Sequence, residues 1–361
     1  MALLLTVLVV ALVFEYINGF HDTANSIATV VSTKVLTPRM AIILAAVTNL
    51  WGALAGTAVA STISKGLVET QFVTSETIIA ALLGAIVWNL LTWWLGLPSS
   101  SSHALVGGLC GATLASAGGQ WSALIWARPI AGAPWWKYQG IFWKVIIPMI
   151  ASPIIGLVGG FVIMSLLYIL IKRWRPATVN RSFGVLQLLS AGYMGHSHGL
   201  NDAQKTMGII ALALVNATGA HLLDNVPPWL AFLRIENLGP KGDMIPVWIK
   251  IICAMVMAAG TAAGGWRIIK TMGHRMVRLQ PVHGFAAETT GATVLTVAAA
   301  YGMPVSTTHA ITASIMGVGC AKRWNALNFS VVQQILLAWV FTLPAAAVVG
   351  YVIARVWTFF A

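Results

Sequence analysis

The chain has 361 residues, of which 58% are hydrophobic and only 8% charged, with nine Asp and Glu against 21 Lys and Arg and a net charge of +12. An ordinary soluble domain is about 25% charged, so this chain has too little charge to cover a water-exposed globule, and a soluble enzyme is excluded. One crossing of a hydrocarbon layer about 30 Å thick takes roughly 20 apolar residues, and the length accommodates about ten to twelve membrane segments.

The apolar segments lie near 1–32, 40–63, 77–118, 144–171, 183–216, 246–266, 285–320 and 330–354. The first lacks a basic leader and a small-residue cleavage site before Glu15, so it is read as a membrane helix and not as a signal peptide. Segments 1–32, 77–118, 183–216 and 285–320 are too long for single straight crossings and are polar in their middles, which predicts broken helices or helical hairpins. Trp121, Trp126, Trp135 and Trp136 mark the loop at 119–143 as one lying at headgroup level.

The basic residues fall in short stretches between apolar runs, which is a topology signal and not a nucleic-acid patch. Lys172, Arg173, Arg175 and Arg181 form the densest stretch, and Arg267, Lys270, Arg275 and Arg278 the second. With Lys34, Arg39, Lys322 and Arg323 they are placed on the cytoplasmic side of a multi-pass cell-membrane protein, with both termini outside. Cys110, Cys253 and Cys320 stand singly in apolar segments, without metal-ligand spacing, and read as small packed residues.

Two motifs recur in the same order. Gly19-Phe20-His21-Asp22-Thr23-Ala24-Asn25 is matched by Gly199-Leu200-Asn201-Asp202-Ala203-Gln204-Lys205, and Pro98-Ser99-Ser100-Ser101-Ser102-His103 by Pro304-Val305-Ser306-Thr307-Thr308-His309. Matched order indicates two repeats, 1–175 and 176–361, and an odd number of crossings between them makes the repeats inverted in one membrane domain. The expected fold is therefore all-α, an inverted-repeat secondary transporter with broken helices or helical hairpins.

Asp22 and Asp202 are carboxylates at membrane depth, where even the lenient scale charges about 2.5–3.5 kcal/mol for an isolated ion. Their recurrence beside Asn25 and Asn201 points to a site for a coupling cation or proton, with helix capping as the alternative. The serine and threonine clusters read as helix starts after proline, where free N–H groups, the helix dipole and the hydroxyls of Ser100, Ser101, Ser102, Ser306, Thr307 and Thr308 converge on a tetrahedral oxyanion. Asn201 and Gln204 are counted with that anion site. His103 and His309, and with them His21, either donate to the anion, carry a proton or brace the hairpins. Glu288 and Asn49 either coordinate a cation or bridge helices. Lys205 stands where the first repeat has Asn25; its ammonium either occupies the space of a coupling cation, favouring protons over sodium, or simply pairs with Asp202. Gly52 and Gly56, Gly107 and Gly111, Gly156 and Gly160, and Gly260 and Gly264 form G-x-x-x-G spacings for helix packing. No zinc site is assigned, since His196, His198 and Asp202 have no further ligand at fixed spacing.

These paired motifs resemble the PiT family of inorganic phosphate transporters, in particular its bacterial low-affinity permeases, over nearly the whole chain. The resemblance implies an inverted-repeat fold with two hairpins meeting at the midplane around a central phosphate, driven by cation symport. No enzyme is expected, since no nucleophile and base stand at recognisable spacing. His21 and Lys205 replace two Asn of the family pattern, which makes proton coupling the expectation. Sodium coupling and a sulfate permease of the same fold are the alternatives. The resemblance also implies that a divalent metal can accompany the phosphate. No resident cofactor is expected; membrane lipid and a second copy of the chain are the expected partners besides the anion.

Overall fold

The computed structural model describes residues 1–360 apart from 131, 133, 135–137, 237–244 and 324–325, and apart from the side chains of Lys65 and His274. Twelve α-helices carry the described chain: α1 (Ala2–Ser32), α2 (Pro38–Leu54), α3 (Ala58–Lys65), α4 (Ser75–Leu95), α5 (Ser101–Ser116), α6 (Ile147–Ile171), α7 (Pro176–Gly219), α8 (Val247–Ala263), α9 (Trp266–Lys270), α10 (Pro281–Ala300), α11 (Thr307–Lys322) and α12 (Phe329–Phe360). β pairing is confined to two isolated bridges, Val68 with Leu124 and Arg128 with Gln139, among the described residues. The all-α expectation holds.

Four helical spans are long and apolar enough to cross a membrane singly: Ala2–Ser32, Ser75–Leu95, Phe142–Ile171 and Phe329–Phe360. Two bent pairs, Pro38–Leu54 with Ala58–Ser64 and Val247–Ala263 with Trp266–Gly273, qualify when each is taken as one span. The remaining long helix, α7, is diluted by its polar centre, while α5 and α11 are 16 residues each and too short to cross alone. These are the arms of the two hairpins, α4–α5 and α10–α11, that the long segments 77–118 and 285–320 predict.

The breaks fall elsewhere than expected in the other two long segments. Both α1 and α7 run unbroken through their Asp motifs, because the polar side chains find partners on neighbouring helices and no backbone has to unwind to serve them. Gly19 and Gly199 are there for close approach: a methyl group on Gly19 would lie 2.5 Å from the Met257 carbonyl oxygen, and one on Gly199 would lie 2.1 Å from that of Asn49. The true breaks are at 55–57, where α2 turns by 69° into α3, and at Gly264–Gly265, where α8 turns by 59° into α9. Gly264 has φ +72° and ends α8, so its part in a G-x-x-x-G pair is that of a helix stop. Each break lies against the other half's motif. Gly265 abuts the Phe20 carbonyl, and Gly56 abuts Leu200 and Gln204.

Packing follows the same exchange. α1 lies against α8 while α7 lies against α2, and α5 packs on α12 while α11 packs on α6. Two apolar cores form, one including 4–17 of α1 with 203–217 of α7, the other 24–30 of α1 with 183–194 of α7. The segments between them on both helices are the Asp motifs. The polar centre thus sits at the junction of two apolar shells.

The bundle has two unlike ends. Thr33 donates to Gln187, Tyr168 meets His283 at 2.9 Å, and the Asn328 N–H donates to the Met276 carbonyl, gathering the basic stretches at one end. Met1, Ser75 and Asn216 line a cavity at the other end, where Ser116 and Trp357 line a second with Thr77, so both termini share that end. Trp121 and Trp126 are exposed and stack there, while Trp135 and Trp136 of the same loop lie outside the described residues.

Candidate functional site

Each hairpin turns through a short extended segment and re-enters a helix capped by serine. Ser100 Oγ accepts from the His103 N–H at 3.1 Å, and Ser306 Oγ accepts from the His309 N–H at 3.1 Å, so both are N-caps. Pro98 and Pro304 lie before the caps, not in the first turn as expected; the cap hydroxyl, not proline, defines each helix start. The next two residues of each helix carry the site. Ser102 Oγ donates to the Val305 carbonyl at 3.3 Å, and the two hairpin tips meet there.

Around the tips the four hydroxyls and two carboxylates form one buried cluster. Asp22 receives Ser101 Oγ at 2.5 Å and Thr308 Oγ1 at 3.3 Å, one hydroxyl from each hairpin. Asp202 receives Thr307 Oγ1 at 3.1 Å and the Lys205 ammonium, which also donates to Ser102 Oγ. The second carboxylate therefore also reaches both hairpins, once directly and once through a lysine. Asn25, the counterpart of Lys205, donates from Nδ2 to Thr307 at 3.1 Å and Thr308 at 3.0 Å. None of these side chains is more than 2% exposed.

The ion pair Lys205–Asp202 is present, as one of the two readings of Lys205 requires. His21 Nδ1 lies 2.8 Å from Asp22 Oδ1, and its Nε2 lies 3.2 Å from Thr92 Oγ1, which accepts from Ser99. On the other side His198 Nε2 stands 3.2 Å from Asp202 Oδ2. Asn49 donates to Thr261 and presents Oδ1 to His198 Nδ1 at 3.1 Å. That carbonyl can only accept, so the Nδ1 proton points to Asn49. Asn49 is thus a helix bridge that orients His198 with its Nε2 toward Asp202. Asp22, His198 and Asp202 bring three ligand atoms within 4.8 Å, an arrangement able to hold a cation. The carbonyl oxygens of Asn25 and Asn201 are buried without a partner among the described residues, and both point to the same capacity.

Four expected site residues stand apart from this cluster. Gln204 Oε1 accepts from the Val59 N–H at 2.8 Å while its Nε2 donates to the Leu200 carbonyl at 2.6 Å; it caps α3 across the break, so both ends of its amide are engaged away from the tips. Glu288 receives Thr29 Oγ1 at 2.5 Å, Gln187 Nε2 at 3.1 Å and Ser190 Oγ, in a separate polar cluster on the basic side of the centre. His103 and His309 meet edge to face at 4.7 Å behind the tips, His309 stacked on Trp339 at 4.0 Å, and no ring nitrogen of either has a hydrogen-bond partner among the described residues. Thr92 was not legible as a site member, since only the fold brings it to the motifs; Ser99 lies within the first hairpin motif without a role assigned to it, and the sequence weighs His198 with Asp202 only for zinc. His198 lies four residues before Asp202, one helical turn away, which is the one signal that could have found it.

Two helical hairpins and two unbroken helices closing on a buried, charge-bearing cluster inside an apolar bundle define a multi-pass membrane transporter, not an enzyme. The family model described as "PHO4: Phosphate transporter family" matches residues 18–350. The chain belongs to this family. It is 44% identical over 352 residues to the "Probable low-affinity inorganic phosphate transporter" of Bacillus subtilis (strain 168), covering 96% of each chain. It is 43% identical over 349 residues to the protein so described in Rhizobium meliloti (strain 1021), covering 96% of this chain and 94% of that one. A solved structure described as "The sodium-dependent phosphate transporter" superposes with TM-score 0.79 over 100% of both chains at 22% identity, which makes the fold common to both.

Proposed function

We propose that this chain carries inorganic phosphate across a cell membrane by cation symport, with two inverted units, 1–175 and 176–361, alternating access around one central site. The observation that carries this reading is the cluster itself: Asp22 and Asp202 each engage both hairpin tips, so carboxylates and hydroxyls cannot separate without moving the tips. Ser101, Thr307 and Thr308 turn their hydroxyls from the carboxylates, and Ser102 turns its own from the Val305 carbonyl, to the oxyanion, and the Lys205 ammonium adds positive charge beside it. Ser100 and Ser306 hold the helix starts in place. Asp22, Asn25, Asn201 and Asp202 hold the cation. Cation and anion neutralise one another in a low-dielectric site, so each binds weakly without the other. Phosphate carrying a proton can donate to Asp22 or Asp202 where sulfate, having no proton, cannot, which favours phosphate over sulfate.

Proton coupling is the first reading because Lys205 supplies a fixed cation where the matched position has Asn25. Sodium coupling is the second, supported by the unpartnered oxygens of Asn25 and Asn201 beside two carboxylates. A divalent metal accompanying phosphate would be held by Asp22, His198 and Asp202. Reconstitution into vesicles with the proton and sodium gradients imposed separately tests the proposal. The expected result is phosphate accumulation driven by the proton gradient in sodium-free buffer and little competition from sulfate. Accumulation only with a sodium gradient selects the second reading, and equilibration without accumulation under either gradient refutes symport.

A further inference from the structure

One fully buried acid has no role in the site just described. Glu15 lies on α1 seven residues before Asp22, two turns away on the same helix face, and is 0% exposed. Thr206 Oγ1 donates to its Oε2 at 2.5 Å, and Asn18 Nδ2 approaches the same oxygen at 3.5 Å. Oε1 has no partner among the described residues. Thr206 follows Lys205 directly and lies four residues after Asp202, so a single turn of α7 links the donor on Glu15 to the ion pair in the cradle.

The ionisable groups facing Glu15 come from two helices. α7 presents Asp202 and Lys205, and α8 presents the buried Cys253 thiol. Of the other helices against α1, α4 carries only Glu76, in its first turn, and α2 only Arg39, at its start, while α5 brings His103 and Cys110, α9 Arg267 and Lys270, α10 His283 and Glu288, and α11 His309, Cys320 and Lys322. None of these, nor Lys250 of α8, is among the charges acting on Glu15. Asp22 is the nearest acid on α1 itself. Lys205 is thus the one cation this carboxyl shares with Asp202, and an ionised Glu15 with a bare buried oxygen competes for it.

We propose that Glu15 is the proton-binding residue of the transport cycle and acts on the anion site through Lys205. This rests on the phosphate-symport reading above. With Glu15 neutral, Lys205 has no rival to Asp202 and Ser102, and its ammonium stays in the cradle with the anion. With Glu15 ionised, a second carboxylate draws on the same ammonium at the end of its flexible four-carbon arm, and the anion loses positive charge. Proton and phosphate therefore favour each other's binding, reciprocally.

Calorimetric titration of the purified wild-type chain with inorganic phosphate, repeated at one pH in buffers of different ionisation enthalpy, counts the protons taken up per phosphate. The expected result is an uptake larger in the wild type than in Glu15→Gln, by up to about one proton per phosphate. Glu15→Asp should retain the uptake, and Lys205→Gln, which cuts the link, should lose it. Lys205→Gln also serves as the deciding variant if Glu15→Gln does not fold. A packing role for Glu15 would change phosphate affinity but leave the proton count untouched. Equal counts in the wild type and the Gln variants overturn the inference while leaving phosphate binding intact. Failure of the wild type to bind phosphate at any pH overturns the symport reading and this inference with it.

Discussion

Lys205 is the residue that most changes the character of the centre. A lysine and an aspartate buried together at 2% and 0% exposure are tolerated because each satisfies the other. Removing only one partner leaves an uncompensated charge, at a cost of about 3–5 kcal/mol. Asp202→Asn is therefore expected to lower the unfolding midpoint in detergent sharply, and the double variant Asp202→Asn with Lys205→Asn to recover most of it; additive losses would show that the pair is not coupled. The same lysine sets the ion in the proposed cycle. Lys205→Asn restores the amide found at Asn25 and adds an uncharged oxygen, so phosphate uptake by this variant should become sodium-dependent. Unchanged sodium independence would count against the role given to the ammonium. The importance of this position is visible in the sequence, since one motif ends in Asn and its match in Lys. Which of its readings holds was not visible, because the partner lies three residues away on the same helix and the hydroxyl it also binds comes from the other half.

Among the elements, the hairpins were legible and the long helices were not. A serine able to cap, followed by further hydroxyl residues, states a helix start whatever surrounds it, which is why Ser101–Ser116 and Thr307–Lys322 begin where the motifs place them. A polar motif inside an apolar run has two solutions, an unwound backbone or a continuous helix with polar neighbours. Only the packing of α1 on α8 and of α7 on α2 decides between them. Glycine shows how tight that packing is throughout the bundle. A methyl group on Gly111 would stand 1.9 Å from the Ala347 carbonyl oxygen of α12, whereas one on Gly184 would meet nothing within 4 Å. Gly111→Leu is expected to part α5 from α12 and abolish uptake together with the monodisperse peak in size-exclusion chromatography. Gly184→Ala, free of contacts and better suited to a helix by about 1 kcal/mol, should leave both unchanged.

At the scale of the whole molecule, the proposed inverted arrangement makes a demand that the matched motifs alone do not. Equivalent connections of the two units have to face opposite sides of the membrane. The α1–α2 connection holds Lys34, with Arg39 at the start of α2, and lies at the basic end, whereas the α7–α8 connection, with exposed Trp229, follows Asn216 at the end shared by both termini. Trp174 and Trp121, each exposed, flank the apolar span Phe142–Ile171 and calibrate the two sides. The positive-inside rule leads us to propose that the basic end faces the cytoplasm. A cysteine at Arg39 or Trp174 should then react with a membrane-impermeant maleimide only after the cells are permeabilised, while one at Trp121 or Trp229 should react in intact cells. The native thiols interfere little, since Cys110 and Cys253 are buried and Cys320 is half-buried. Labelling of Arg39→Cys and Trp229→Cys from the same side would refute the inversion. Without inversion, an exchange of access between the two faces would lose its simplest physical basis, in which two like units trade conformations around a site that each half-builds.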